Sequence, residues 1–332
     1  MYCEFYHKTK DGICAHYIKG SLGDAGLCKR PTQFLCLEDL KTGLPKLSHS
    51  SRKDFAHCRR KYYYRKIQGL QVRKSMLSDP VKMGIIWDRF IEAKYNGQNF
   101  KSRFWELVDV YDLSDEGVSK LYALIKAFTN IGLKIDLDGF IGCQHEFDFI
   151  DGDVVVTGFI DRAYIDYFVE SKLSARPDFY HIIHNITSQV STYFLSNDCY
   201  KYCTIEAVRV PSLRTGYGKY SDEDAESYMH RNYQDIISRP SHYFPGFNRE
   251  EKIYSKRFWR SEFPLEQIRI DYRQITKDIR RAIDDNAFYQ NFMACRLPAP
   301  CAYLPICKTG VVSDLVYEQK PKKGGEVNES FK

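Results

Sequence analysis

The chain has no apolar run near the roughly 18 residues that a membrane helix needs, so no transmembrane span is expected. Its opening, Met1-Tyr-Cys-Glu-Phe-Tyr-His-Lys8, has no apolar stretch of the secretory type, so the expectation is a cytoplasmic protein with no membrane partner. It has no phosphate loop. Gly216-Tyr-Gly-Lys219 lacks both the spacing and the Ser or Thr after the lysine, which argues against an ATP motor. No internal repeat is visible, which excludes solenoids and propellers. No Cys-x-x-Cys knuckle occurs, which weakens any zinc-ribbon reading. Neither charge sign dominates: 49 Lys and Arg against 43 Asp and Glu leave a net charge of +6.

What is present is ordinary in bulk and uneven in placement. At 332 residues, 43% hydrophobic and 28% charged, the chain suits one large domain or two small ones and argues against wholesale disorder. Aromatic residues are plentiful, with 25 Tyr and 21 Phe. Basic residues concentrate early: Arg52, Lys53, Arg59, Arg60, Lys61, Arg65, Lys66, Arg73 and Lys74 stand against the single acid Asp54. Tyr62, Tyr63 and Tyr64 interrupt that run. Basic side chains attract phosphates and aromatic rings stack on bases, so the segment reads either as a nucleic-acid contact or as a solvated basic helix face.

Eleven cysteines are many for a chain expected in a reducing compartment, where clustered thiols read as metal ligands before disulfides. Cys3, Cys14, Cys28 and Cys36 crowd residues 1–46, read as a loop-rich extension. They are either a zinc site, to which His7 and His16 could add, or reduced structural thiols. Cys58 sits in the basic segment, and Cys295, Cys301 and Cys307 form a C-x5-C-x5-C set. Four such thiolates suit a 4Fe–4S cluster or a zinc ion. Cys143, Cys199 and Cys203 read as buried thiols.

Periodicity places helices at about 51–66, 80–96, 115–132, 182–197, 222–238 and 264–285, and strands at 145–150, 153–164, 167–172 and 202–210. Ser51 with Asp54 resembles a capping box. Val118, Leu121, Leu124, Ile125 and Phe128 mark the core face of the third helix, and Asp151-Gly152 marks a tight hairpin turn. A tail from 311 to 332 is expected to be disordered.

The strands carry the chemistry. Gly158-Phe-Ile-Asp161 is followed, after eight residues, by Glu170-Ser-Lys172. Residues i and i+2 of a strand share a face, so Glu170 and Lys172 point together and Asp161 on the preceding strand can join them. Two adjacent carboxylates hold a hard divalent cation such as Mg2+ or Mn2+, and a neighbouring lysine offsets charge in a transition state. The bland alternative is a surface hairpin with one salt bridge. Gln189 and Tyr193, at i and i+4, share a helix face that either approaches a phosphate or is a half-buried amphipathic surface. His181 and His184 read as polar helix-start residues or as ligands.

In order and spacing these elements resemble the PD-(D/E)XK nuclease superfamily in its RecB-like iron–sulfur branch, over about Leu47 to Lys308. Leu47-Ser-His-Ser-Ser51 through Cys58 to Gly69-Leu70 looks like the opening helix with its first cluster cysteine. Glu146 and Gly158–Asp161 look like the acidic strands, Glu170-Ser-Lys172 like the (D/E)XK motif, and Gln189 with Tyr193 like QxxxY. Cys295, Cys301 and Cys307 look like the closing ligands.

The resemblance implies an α/β, restriction-endonuclease-like fold: a mixed central sheet flanked by helices, with a helical surround and Cys-bearing termini. Residues 47–310 would form the nuclease domain, stapled by the cluster. It implies a metal-dependent DNA nuclease, in particular a single-stranded DNA exonuclease of phage replication, recombination, repair or CRISPR adaptation in a bacterial or phage-infected cell, working with the proteins of those processes. Asp161 and Glu170 would hold the cation and Lys172 would position water. Gln189 and Tyr193 would contact substrate. Arg59, Arg60, Lys61, Tyr62, Arg65 and Lys66 would track the strand. Two departures stand out. Trp87 in Met83-Gly-Ile-Ile-Trp-Asp88 occupies a position usually held by a ligand histidine, leaving Asp88 or Glu92 as substitutes, and the first gap of the closing cysteines is five residues. The alternative is a DNA-binding protein on this fold that does not cut.

Overall fold

A computed structural model of the chain describes residues 44–183, 188–215, 222–250, 253–254, 256–296 and 300–320. Cys3, Cys14, Cys28, Cys36, His184, Gly216-Tyr-Gly-Lys219 and residues 321–332 lie outside the described residues.

A short strand, β1 (Lys46–Ser48), leads directly into helix α1 (His49–His57). Ser48 is the cap: its side-chain oxygen accepts from the Ser51 amide at 3.2 Å, so the helix starts ahead of the Ser51 expected. Asp54 is no capping residue. It is buried, and it holds Lys61 at 2.8 Å and Arg65 at 2.6 Å. The single helix expected over 51–66 is broken at Cys58, whose φ of −160° and ψ of 113° are extended. Helical structure resumes as α2 (Arg59–Tyr62) and widens into a π-helical turn, Tyr63–Ile67. Strand β2 (Leu70–Val72) follows after Gly69, which takes a φ of 68°.

Three helices form the next layer: α3 (Asp79–Tyr95), α4 (Lys101–Tyr111) and α5 (Asp115–Ile131). The second of these was absent from the sequence reading. They enclose a core around Trp87, Phe90, Phe104, Leu121, Leu124 and Phe128. Each such ring or branched chain contributes on the order of 2 kcal/mol when fully buried.

The central sheet is mixed, as expected. Strand β3 (Phe140–Asp151) turns at Gly152, φ 64°, into β4 (Val154–Tyr164), and then come β5 (Tyr167–Ser174) and β6 (Tyr202–Arg209). Between the last two run α6 (Pro177–Ile183) and α7 (Ser188–Ser196), where one helix was expected. His181 is described only as part of the first. Helices α8 (Ala225–Ser238) and α9 (Pro240–Tyr243) follow, then a separate two-residue ladder between β7 (Phe247–Asn248) and β8 (Ile253–Tyr254). The edge strand β9 (Lys256–Trp259) pairs with β6, and α10 (Leu265–Asp284) crosses behind β1 and β4.

The feature that positions the site is a fork. Strand β3 runs antiparallel along one whole edge of β4. On the other edge β1 pairs in parallel with Val155–Thr157, and β5 pairs antiparallel only with Arg162 and Ala163. Gly158 to Asp161 therefore have no partner strand on that edge among the described residues.

A late segment returns to an early one. Helix α11 (Leu304–Thr309) leads to β10 (Tyr317–Gln319), which pairs antiparallel with β2. Tyr317 is buried, so within the tail expected to be disordered from residue 311, Tyr317–Gln319 is an ordered strand. The pairing gives its backbone groups partners and its tyrosine a core. Tyr64, Tyr303 and Tyr317 stack in sequence, with centroids 6.1 and 5.7 Å apart.

Candidate active site

Continuing the β4–β5 register one step beyond Arg162↔Val169 brings Asp161 opposite Glu170. The ladder stops there. Asp161 Oδ2 takes the Ser171 amide itself, at 2.8 Å. Alternation along β4 also breaks at this residue. Ile160 packs with Phe147 and Tyr193, whereas Arg162 donates to the Tyr95 hydroxyl of α3 at 2.8 Å. Opposite the break, Gln144 holds a φ of 47° and its side chain donates to Asp161 Oδ1 at 3.3 Å. A left-handed non-glycine residue costs roughly 1–3 kcal/mol, and such strain gathers at functional sites.

Glu170 is 1% exposed. Lys172 donates to its Oε1, while Oε2 is buried with no hydrogen-bond partner. Burial, followed by the charge of Asp161, pushes the Glu170 carboxyl up to about 7, against the pull of Lys172 and Arg162. Burial works against the Lys172 charge, but Glu170 and Asp161 outweigh it and hold the ammonium above its ordinary value. Asp88 of α3 feels the same group: burial and then Asp161 push it up to about 8. A small cleft is lined by Asp88, Glu92, Cys143, Gln144, Asp161 and Arg162.

Trp87 does not face this cleft. It is buried against Phe90 and Phe128, with ring centroids 5.3 and 5.5 Å away. The side chain presented to the site is the next one, Asp88. That signal was legible: Met83, Ile86, Trp87, Phe90 and Ile91 mark one apolar stripe, which leaves Asp88 and Glu92 together on the polar side.

Gln189 pairs with Tyr193, and Tyr193 lies near enough to feel the charge of the carboxylates. Gln189 Nε2 donates to the Tyr193 hydroxyl at 2.7 Å, and burial, with Glu170 and Asp161 beyond it, raises the phenol well above its usual range. Glu146 is exposed, opposite Phe159 on the ladder and two residues from the strained Gln144. Two contributors were not foreseen. Arg162, fully buried, donates to Ser171 Oγ at 2.7 Å and pairs with Glu206. His49, at the start of α1, has Nδ1 3.2 Å from Ser188 Oγ. Burial, with Arg52, Lys53 and Lys172, drives it down to about 4, so it is neutral at pH 7.

The four later cysteines lie near enough to one another to feel each other's charge. Cys58 is buried, and Cys295, Cys301 and Cys307 are partly so. Burial raises the Cys307 thiol, and Cys301, Cys58 and Cys295 add to the shift. Cys301 is raised by burial in the same company. The break in the first helix turns Cys58 toward the C-terminal segment, where the Asn291 amide reaches its sulfur at 3.5 Å. Of the three scattered thiols, Cys203 is buried, Cys143 lines the cleft, and Cys199 is exposed, contrary to expectation. Among the described residues no three His, Cys, Asp or Glu side chains are already in chelating arrangement.

The basic segment differs most from its sequence reading. Tyr62 is 2% exposed, in a 5.3 Å edge contact with Phe55, so it offers no face to a base. Lys61 and Arg65 are committed to Asp54. Lys66 is half-buried, and burial, with Arg65 and Lys320, lowers it to about 8. Arg60 lies 6.0 Å from the Tyr63 ring, and Arg59 lies between the rings of Phe55 and Tyr289, at 5.0 and 4.6 Å.

No protein-family model matches this chain, and no curated protein matches it. Among the described residues no helix is long and apolar enough to cross a membrane.

Proposed function

We propose that the chain is a metal-dependent DNA nuclease of the PD-(D/E)XK, RecB-like kind. The observation that carries this reading is Glu170 Oε2: a buried carboxylate oxygen without a hydrogen-bond donor, beside a second carboxylate and a lysine. An orphaned buried acceptor costs about 1–3 kcal/mol or more, and a cation satisfies it. Asp161, Glu170 and Asp88 supply the hard oxygen donors that Mg2+ or Mn2+ prefers. What the ion supplies when bound is a polarised phosphodiester and a more acidic water.

The chain's own residues do the rest. Ser171 and Gln144 fix the Asp161 carboxylate in the fork. Lys172, kept protonated by its two acidic neighbours, faces the charge that develops on the phosphate oxygens. Tyr193 stays a neutral phenol and is oriented by Gln189 for contact with the substrate. Cys58, Cys295, Cys301 and Cys307 fit a 4Fe–4S cluster or a zinc ion that fastens the first helix to the C-terminal segment, and binding energy of that kind is folding energy.

The substrate proposed is single-stranded DNA, degraded from an end. The test is cleavage of end-labelled single- and double-stranded DNA by anaerobically purified protein with Mg2+ or Mn2+, against Glu170→Gln. Cleavage by the native chain alone supports the reading. DNA binding without cleavage at any metal concentration supports the alternative, a binding protein on the same scaffold.

A further inference from the structure

A groove of about 540 Å³ opens at the C-terminal end of α1. Its walls come from Phe55, His57 and Arg59 on one side and Tyr289, Phe292 and Met293 on the other. Tyr289, Phe292 and Met293 are 59%, 76% and 75% exposed. Three large apolar side chains left in water along five residues are unusual for a segment that is otherwise anchored. Asn291 fixes that segment: its side chain donates to the His57 carbonyl at 2.8 Å and its amide reaches Cys58. The aromatic wall is therefore held in place, and the Arg59 guanidinium lies against the Tyr289 ring at its base. The volume falls within the range of sites that take small planar ligands.

The groove is tied to the carboxylate site by α1. His49, at the start of that helix, feels the charge of Lys172; His57, at its end, lines the groove. Nine helical residues span about 13 Å, the length of at most about four stacked nucleotides. Along the helix between them, Ser50, Lys53, Ala56 and His57 are exposed, a stripe that carries a positive charge and no acid of its own, with Asp278 of α10 lining the groove at its end.

We propose that this groove seats bases of a single strand, stacked on Phe292 and Tyr289, while its phosphates run along Lys53 and His57 to the carboxylates. The occupant is single-stranded nucleic acid because stacking faces, a guanidinium and a basic approach coincide here, whereas a duplex hides its base faces. The inference deepens the nuclease reading and rests on it for the direction of the strand.

The test is fluorescence anisotropy with a labelled oligothymidylate on the full chain. The variants are the double Tyr289→Ala/Phe292→Ala, Phe292→Trp, and Trp105→Ala as an exposed aromatic elsewhere on the surface. The double variant should weaken single-strand binding by about tenfold or more, Phe292→Trp should retain it, and Trp105→Ala should change nothing. Lys53→Gln should flatten the salt dependence by about one unit of slope. Unchanged affinity in the double variant overturns the proposal, as does absence of single-strand binding by the native chain. If the native chain binds single strands but never cuts, and the double variant still loses affinity, the groove stands and the nuclease reading falls.

Discussion

Asp161 and Glu170 face each other one step past the last β4–β5 ladder pair, and Asp161 takes over the amide of Ser171 at 2.8 Å. A regular antiparallel pair would have spent that amide on a carbonyl. The fork, in which β1 and β5 share one edge of β4, leaves the carboxylate to do it. The two acids are thus held by backbone geometry, which is the condition for acting on an ion without first rearranging.

Asp88 is predicted to tune the affinity for the ion. Asp88→Asn should raise the Mn2+ concentration for half-maximal cleavage by about tenfold, roughly 1.4 kcal/mol, and leave the rate at saturating Mn2+ within a few-fold. A metal titration of cleavage measures this. A collapse of the saturated rate would instead assign Asp88 to the chemistry.

Stability should depend on pH in a definite sense. Glu170 rises from an ordinary 4.5 to about 7 and Asp88 from 3.8 to about 8. Both therefore bind protons more tightly folded than unfolded. Their contribution to stability is greatest below about pH 4 and is lost as pH rises to about 8. For metal-free protein, this pair should pull the melting temperature down between pH 5 and 8. Glu170→Gln/Asp88→Asn should flatten that slope, and saturating Mg2+ should restore most stability at the alkaline end. Melting curves with and without the ion measure this; a slope unaffected by the double variant would contradict it.

Gly158 is predicted to resist substitution for packing reasons. A Cβ there would lie 2.6 Å from the Phe147 ring, and that ring touches Tyr193. Gly158→Ala should cost about 1–3 kcal/mol, and Phe147→Leu should recover part of it. Denaturant unfolding of the single and double variants reads the coupling; simple additivity would remove the explanation.

Cys58, Cys295, Cys301 and Cys307 should bind metal as a set. Cys58→Ser should lose metal and melt several degrees lower, whereas Cys199→Ser, at an exposed site, should do neither. Elemental analysis of anaerobic protein distinguishes about four iron atoms per chain from a single zinc. Full metal occupancy in Cys58→Ser would detach that residue from the site.

Much of this is legible in the sequence. Helices α3 and α5 followed from apolar spacing, and the β3–β4 hairpin from Asp151-Gly152. The meeting of Asp161, Glu170 and Lys172 followed from period two and a short turn. What stayed hidden depended on tertiary choices. Three adjacent tyrosines do not announce which of them enter a core; Tyr62 packs on Phe55 and Tyr64 on Tyr303. At the break, the Cys58 sulfur accepts from the amide of Asn291, more than 200 residues later, which no local pattern announces. No sequence pattern marks Arg162, which the broken alternation at Asp161 turns toward Tyr95 and Ser171. Helix α4 was missed although Phe104 and Leu107 mark its buried face, because short helices of mixed composition give weak periodicity.

The central claim is that Asp161 and Glu170 hold a divalent ion for phosphodiester cleavage. Its most direct test is Mn2+ binding by calorimetry and single-strand cleavage measured on the same preparation, native and Glu170→Gln. The account predicts that the native chain binds Mn2+ and cleaves, and that the variant loses both while keeping its fold and its affinity for DNA. Native-level cleavage by Glu170→Gln, or Mn2+ binding unaffected by it, would contradict the account.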